Sequence, residues 1–233
     1  MLALIGCMAG VAVAESYAGT RSGPVVTVIG DSVADRMEHN PAALNRLNRD
    51  FTLNLQTQGC RRLATQSCTI VGEPAPPANV VTLAKRLGPR LGRIVVIATG
   101  YNDDPYRFDR DLDKVMRTLN AEGVKRVIWL TLREAKSAYV MSNADIEVKP
   151  RKWPTLTVAD WNSYSASRPD WFEADGIHLT LAGSTALAVL PTRTSVQSTC
   201  SCALWKASMT PIGSFHRSNR EICVTSGRSV GIL

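Results

Sequence analysis

Histidine is scarce: the 233 residues hold three, His39, His178 and His216. A two-metal hydrolytic centre takes several histidines as well as carboxylates. A metal-dependent phosphoesterase built on Gly30-Asp31 and Asn102-Asp103 is therefore short of ligands. Cys200-Ser201-Cys202 lacks the C-x-x-C spacing and partner histidines of a zinc site, and no metal or other cofactor is implied. The chain has no G-x-S-x-G elbow within residues 24–190, which argues against an ordinary α/β-hydrolase. It has no basic stripe interleaved with aromatics. Of the formal charge of +7, residues 191–233 hold +4 (five Lys/Arg against one Glu), leaving +3 for the rest. So mild a basicity serves solubility and implies no nucleic-acid partner. After residue 14 no stretch approaches the roughly 20 apolar residues of a membrane-spanning helix. Internal repeats and low-complexity linkers are missing too.

What remains is ordinary globular composition, 45% hydrophobic and 20% charged, in a chain long enough for one substantial core. Residues 1–14, MLALIGCMAGVAVA, form an apolar run ending in Ala12-Val13-Ala14. They are expected to be a signal peptide, although no Lys or Arg precedes the run. The protein is thus expected to be secreted or in the cell envelope, with no stable membrane insertion once the run is removed. Paired cysteines fit that setting. Cys60 and Cys68 are the obvious couple, two separate buried thiols being the alternative. Residues 191–233 lose periodicity and carry three of the six cysteines, and they are left as an unassigned tail. Oligomeric state is not legible in the chain.

Short β-branched or alternating runs at 25–29, 52–56, 93–98, 126–131 and 156–160 read as five strands. Helical patterns at 41–48, 80–87, 108–121, 139–146 and 180–190 lie between or after them. Strands alternating with helices predict an α/β fold: a three-layer α/β/α, flavodoxin-like domain over 24–190 with a mostly parallel five-stranded sheet. Such sheets bind ligands outside the carboxyl ends of their strands. There lie Gly30-Asp31-Ser32, Gln58-Gly59-Cys60 and Gly100-Tyr101-Asn102-Asp103, with Asp175-Gly176-Ile177-His178 after the fifth strand.

Acyl transfer needs an activated hydroxyl, a base, an orienting group and donors for an oxyanion. Ser32 sits at a sharp turn after a buried strand. Of the histidines, His178 suits the base, because Asp175 three residues earlier can hold its second ring nitrogen. Singly, each feature has a plainer reading: Asp31 and Ser32 as a turn with a helix cap, Gly59 and Gly100 as tight turns, Asn102 as a cap. In order, however, Gly30-Asp31-Ser32, Gly59, Gly100-Tyr101-Asn102-Asp103 and Asp175-x-x-His178 resemble the four blocks of the SGNH, or GDSL-like, hydrolases.

The resemblance spans residues 25–190. It implies Ser32 as nucleophile, His178 as base and Asp175 as orienter, with the Ser32 and Gly59 N–H groups and the Asn102 side chain as oxyanion hole. It also implies an SGNH-type ester hydrolase or O-acyltransferase. The region is similar to SGNH domains found alone or attached to membrane acyltransferases in bacterial envelopes, which implies a small-molecule or glycan acyl ester, with O-acetyl foremost, as substrate. Asp31 is expected to support the turn, and Trp161 and Trp171 to be core. Tyr101, Arg61 and Arg62 are candidate substrate contacts. The rival from another class is a non-catalytic binding module of the same fold for an envelope glycan.

Overall fold

The computed structural model describes residues 23–49 and 51–191. The expected signal peptide, His216 and all of the tail beyond Pro191 lie outside the described residues. Five strands, β1 (Val25–Gly30), β2 (Thr52–Thr57), β3 (Ile94–Ala98), β4 (Arg126–Leu130) and β5 (Leu156–Ala159), form one sheet in the order β2-β1-β3-β4-β5. Every pairing is parallel, so the sheet is wholly rather than mostly parallel. All but one residue of each of β1, β3 and β4 is buried, as their continuous apolar runs require in a sheet covered on both faces. Edge strand β2 alternates instead, burying Leu53, Leu55 and Thr57 and half-exposing the residues between.

The helices are α1 (Ser32–Asp35), α2 (Pro41–Leu47), α3 (Val80–Leu87), α4 (Phe108–Ala121), α5 (Ser137–Val148), α6 (Trp161–Ser165) and α7 (residues 181–191). Five start at side-chain caps: Asp31 accepts from Val33 N–H, Asn40 from Ala42, Asn79 from Thr82, Asp160 from Ser163 and Thr180 from Gly183. Each cap satisfies an N–H that the first helical turn leaves without an intrahelical partner. Helices α3, α4 and α5 pack side by side. Elsewhere the Asn40 amide donates to Leu181 O, Ser184 Oγ and Thr185 Oγ1, joining α2 to α7. The result is a three-layer α/β/α domain. The face of α4 carrying Leu112, Val115, Met116 and Leu119 is fully buried. Each such side chain contributes about 1.5–3 kcal/mol relative to exposure. Among the described residues no helix is long and apolar enough to cross a membrane.

The chain leaves β1 for β2 on one side and returns to β3 on the other. The carboxyl ends of β1 and β3 therefore face a crevice where the connections diverge, the usual ligand position in such sheets. Ser32 follows β1 and Asn102 follows β3.

Candidate active site

The turn from β1 into α1 is tight enough to require glycine. A Cβ on Gly30 would lie 2.4 Å from Ala34 Cβ and 2.9 Å from Thr57 Cγ2. This close approach lets α1 begin at Ser32, immediately beyond the strand. Asp31, fully buried, caps α1 through Oδ1 at 3.1 Å from Val33 N. Its Oδ2 accepts from the Gly100 and Tyr101 N–H groups at 3.1 and 3.2 Å. One carboxyl thus ties the Ser32 turn to the loop after β3. Gly100 reaches it with φ +153°, where a Cβ would crowd Phe108 Cε2 at 3.0 Å.

The loop bearing His178 folds back on itself. Phe172 and Leu179 form an antiparallel bridge, and Glu173 N donates to His178 O at 2.8 Å. Asp175 Oδ1 accepts from the Ile177 and His178 N–H groups at 2.9 and 3.0 Å, which fixes the carboxylate. Its Oδ2 lies 2.5 Å from His178 Nδ1, and His178 Nε2 lies 3.0 Å from Ser32 Oγ. Serine, imidazole and carboxylate stand in line, although 146 residues separate the first pair. The hydrogen bond from His178 and then the Ile177 N–H hold Asp175 down at about 2, so it is charged at any working pH. The His178 and Asp175 side chains are 49% and 47% exposed, leaving the site open to bulky molecules.

Gly59 is beside the serine: a Cβ on it would lie 3.9 Å from Ser32 Cβ. Among the described residues neither the Ser32 nor the Gly59 N–H has a hydrogen-bond acceptor. Asn102 Nδ2 donates at 3.4 Å to Arg61 O, and its second hydrogen remains available. Cys60 follows Gly59 at φ +62° and is bonded to Cys68. Closing this short loop stabilises the fold by about 2.5 kcal/mol on the chain-entropy account. Because the bridge pins the segment carrying Gly59, mild reduction is expected to lower ester turnover severalfold while the far-ultraviolet circular dichroism is unchanged. Full activity of the dithiol protein would contradict that link.

Two expected substrate contacts are placed elsewhere. Arg61 is 3% exposed. Its Nε donates to Gly30 O at 3.0 Å and its Nη1 to Ala78 O, so the guanidinium is a strut under the Ser32 turn. A buried guanidinium must spend its donors on local carbonyls. The Tyr101 hydroxyl accepts the Arg133 N–H at 2.7 Å, and its ring meets Tyr139 edge-on at 5.1 Å, so it too faces the protein. Arg62 is half-buried, with Nη1 reaching Gln66 O at 3.4 Å. Trp161 and Trp171 are buried and stacked at 5.8 Å. His39 is exposed. Asp103, unassigned from sequence, anchors the disulfide loop by accepting Leu63 N–H at 3.0 Å. Its adjacency to Asn102 was the only signal available. Among the described residues no three His, Cys, Asp or Glu side chains cluster to hold a metal ion.

Burial raises Asp31 to about 6 and Asp103 to about 7, against the lowering effect of the N–H groups each accepts. Between pH 4 and 7 the folded protein therefore retains protons that the unfolded chain releases, so these two groups make stability rise as pH falls through that window. The melting temperature is expected to be higher at pH 5 than at pH 8. Asp103→Asn keeps an acceptor for Leu63 and should flatten the difference; an unchanged slope would contradict the assignment.

No protein family model matches the chain, and no curated protein matches it. Solved structures do. The C-terminal catalytic domain of peptidoglycan O-acetyltransferase A from Streptococcus pneumoniae, determined with a methylsulfonyl adduct, aligns at TM-score 0.54 and 22% identity, over 83% of this chain and 99% of that one. A carbohydrate acetylesterase family member from Sinorhizobium meliloti aligns at 0.54 and 13% identity, over 72% and 94%. This is the SGNH-hydrolase fold. A psychrotrophic esterase from Pseudoalteromonas, in a structure inhibited by monoethylphosphonate, shares it at 0.55 and 10% identity, over 76% and 98%. Strands β1 to β5 form a sheet of this type, with Ser32, Gly59, Asn102 and the Asp175-His178 pair at one rim.

Proposed function

We propose that this protein is a serine esterase or O-acyltransferase that handles a short acyl group, O-acetyl foremost, on an extracytoplasmic glycan. The observation that carries the reading is the line Ser32 Oγ, His178 and Asp175, with contacts of 3.0 and 2.5 Å at the rim of the crevice. His178 Nε2 takes the Ser32 proton as Oγ attacks the ester carbonyl. The negative charge formed on the carbonyl oxygen is received by the Ser32 and Gly59 N–H groups and the Asn102 amide. Collapse breaks the bond to the alkoxy group, which leaves with the proton from His178, and the acyl group stays on Ser32. Water or an acceptor hydroxyl then attacks the acyl carbon, giving its proton to His178, and as the bond to Ser32 breaks His178 returns that proton to Oγ. Asp175 keeps the imidazole in the tautomer that presents a bare Nε2 to Ser32.

The substrate class is supported by the acetyl-handling proteins of the same fold and by the exposed triad, which leaves room for a polymer beside the ester. The bridged cysteines suit an oxidising compartment, in keeping with the expected export. The test is a fluorophosphonate probe followed by peptide mapping. Labelling confined to Ser32 is expected, and an unlabelled protein that still binds glycan would favour the non-catalytic module instead.

A further inference from the structure

Beyond the triad and oxyanion donors, one residue joins the two halves of the site. Arg133 lies just past β4, between the loop carrying Asn102 and the loop carrying His178. Its backbone N–H donates to Tyr101 Oη at 2.7 Å, and the Tyr101 N–H in turn donates to Asp31. Its guanidinium donates through Nη1 to Ser165 O at 2.8 Å, at the end of α6, and lies 4.3 Å from the centre of the Phe172 ring. Phe172 opens the loop that contains Asp175 and His178, bridging Leu179. A continuous path of hydrogen bonds and ring contact therefore runs from the Ser32 turn through Asp31, Tyr101 and Arg133 to the base of the His178 loop.

Resting on the proposed function, we infer that Arg133 is a positioning residue that sets the distance of His178 from Ser32 by clamping Phe172 and the end of α6 to the loop after β3 that carries Asn102. The chemistry of the residue fits the task. A planar guanidinium can lie on an aromatic face and still donate in its own plane, which an ammonium cannot do. The task arises because the His178 and Asp175 side chains are half exposed, so their placement depends on the footing of the loop, where Phe172 and Leu179 are buried. Arg133 is half-buried, its guanidinium engaged with Ser165 and Phe172.

The experiment compares wild type, Arg133→Ala, Arg133→Lys, Phe172→Leu and the Arg133→Ala/Phe172→Leu pair. The readouts are kcat and KM for a soluble acetyl ester, the rate of fluorophosphonate labelling, and melting temperature. Arg133→Ala is expected to lower kcat and labelling rate about 10- to 100-fold, as an ångström of misplacement can. KM should stay within about twofold. Added guanidinium ion should restore part of the loss, and Arg133→Lys should fall in between. The double variant should be little worse than Arg133→Ala alone, since both changes cut the same path. A raised KM at unchanged kcat would make Arg133 a substrate contact and overturn the inference. A lowered melting temperature with full kcat would reduce it to a structural residue, and additive losses in the double variant would remove Phe172 from the path. A wild type that neither turns over ester nor labels would instead overturn the proposed function, and with it any role for Arg133 in positioning.

Discussion

Replacing Ser32 by Ala is expected to lower kcat by about 10⁴-fold or more, the loss seen when a triad nucleophile is removed and only binding and oxyanion donors remain. The fold should not suffer. Ser32 is the first residue of a four-residue helix whose cap belongs to Asp31, and its side-chain contact is with a half-exposed imidazole. Melting temperature within about a degree of wild type would be typical of a surface change. Ester turnover near the wild-type rate in this variant, measured with a chromogenic acetyl ester, would remove the nucleophile from the mechanism.

Asp175→Asn is expected to cost about 10²- to 10⁴-fold, because an amide can donate to the imidazole and stabilise the tautomer that presents N–H rather than a lone pair to Ser32. The lower bound reflects the half exposure of this carboxylate, where water can partly take its place. Melting temperature separates this from simple damage: the carboxylate and the imidazole are both half exposed, so it should stay close to that of wild type while the rate falls. An unreduced rate would show that Asp175 does not face the base.

The sheet was legible because β1, β3 and β4 are short runs rich in Val and Ile and β2 alternates apolar with polar residues, and β1 to β5 fall within a residue or two of the runs that announce them. Helix α1 was not legible, since four residues starting at a cap carry no periodicity of their own. The five residues of helix α6 carry none for the same reason. Ser32, Gly59, Asn102 and the Asp175-His178 pair could be placed at one rim from order and spacing alone. Arg61 and Tyr101 could not be placed correctly. An arginine beside a catalytic loop reads as exposed, and only the three-dimensional path of the disulfide loop turns its guanidinium inward to Gly30 O and Ala78 O. Tyr101 turns its hydroxyl toward the Arg133 N–H because a buried phenol needs a partner, and that partner is 32 residues away in sequence. The support of the site, in Asp103, Arg133 and Phe172, depends on such distant pairs.

The central claim is that an acyl group passes through Ser32, and rapid quenching during turnover of an acetyl ester tests it most directly. Acid-quenched protein, digested and analysed by mass spectrometry, is expected to carry a single acetyl group on the peptide containing Ser32, growing in no more slowly than turnover and absent from Ser32→Ala. The Asp175→Asn variant should acquire it more slowly. Steady turnover with no acetyl on that peptide under conditions that trap ester adducts, or an acetyl group on any other residue at catalytic rate, would contradict the mechanism.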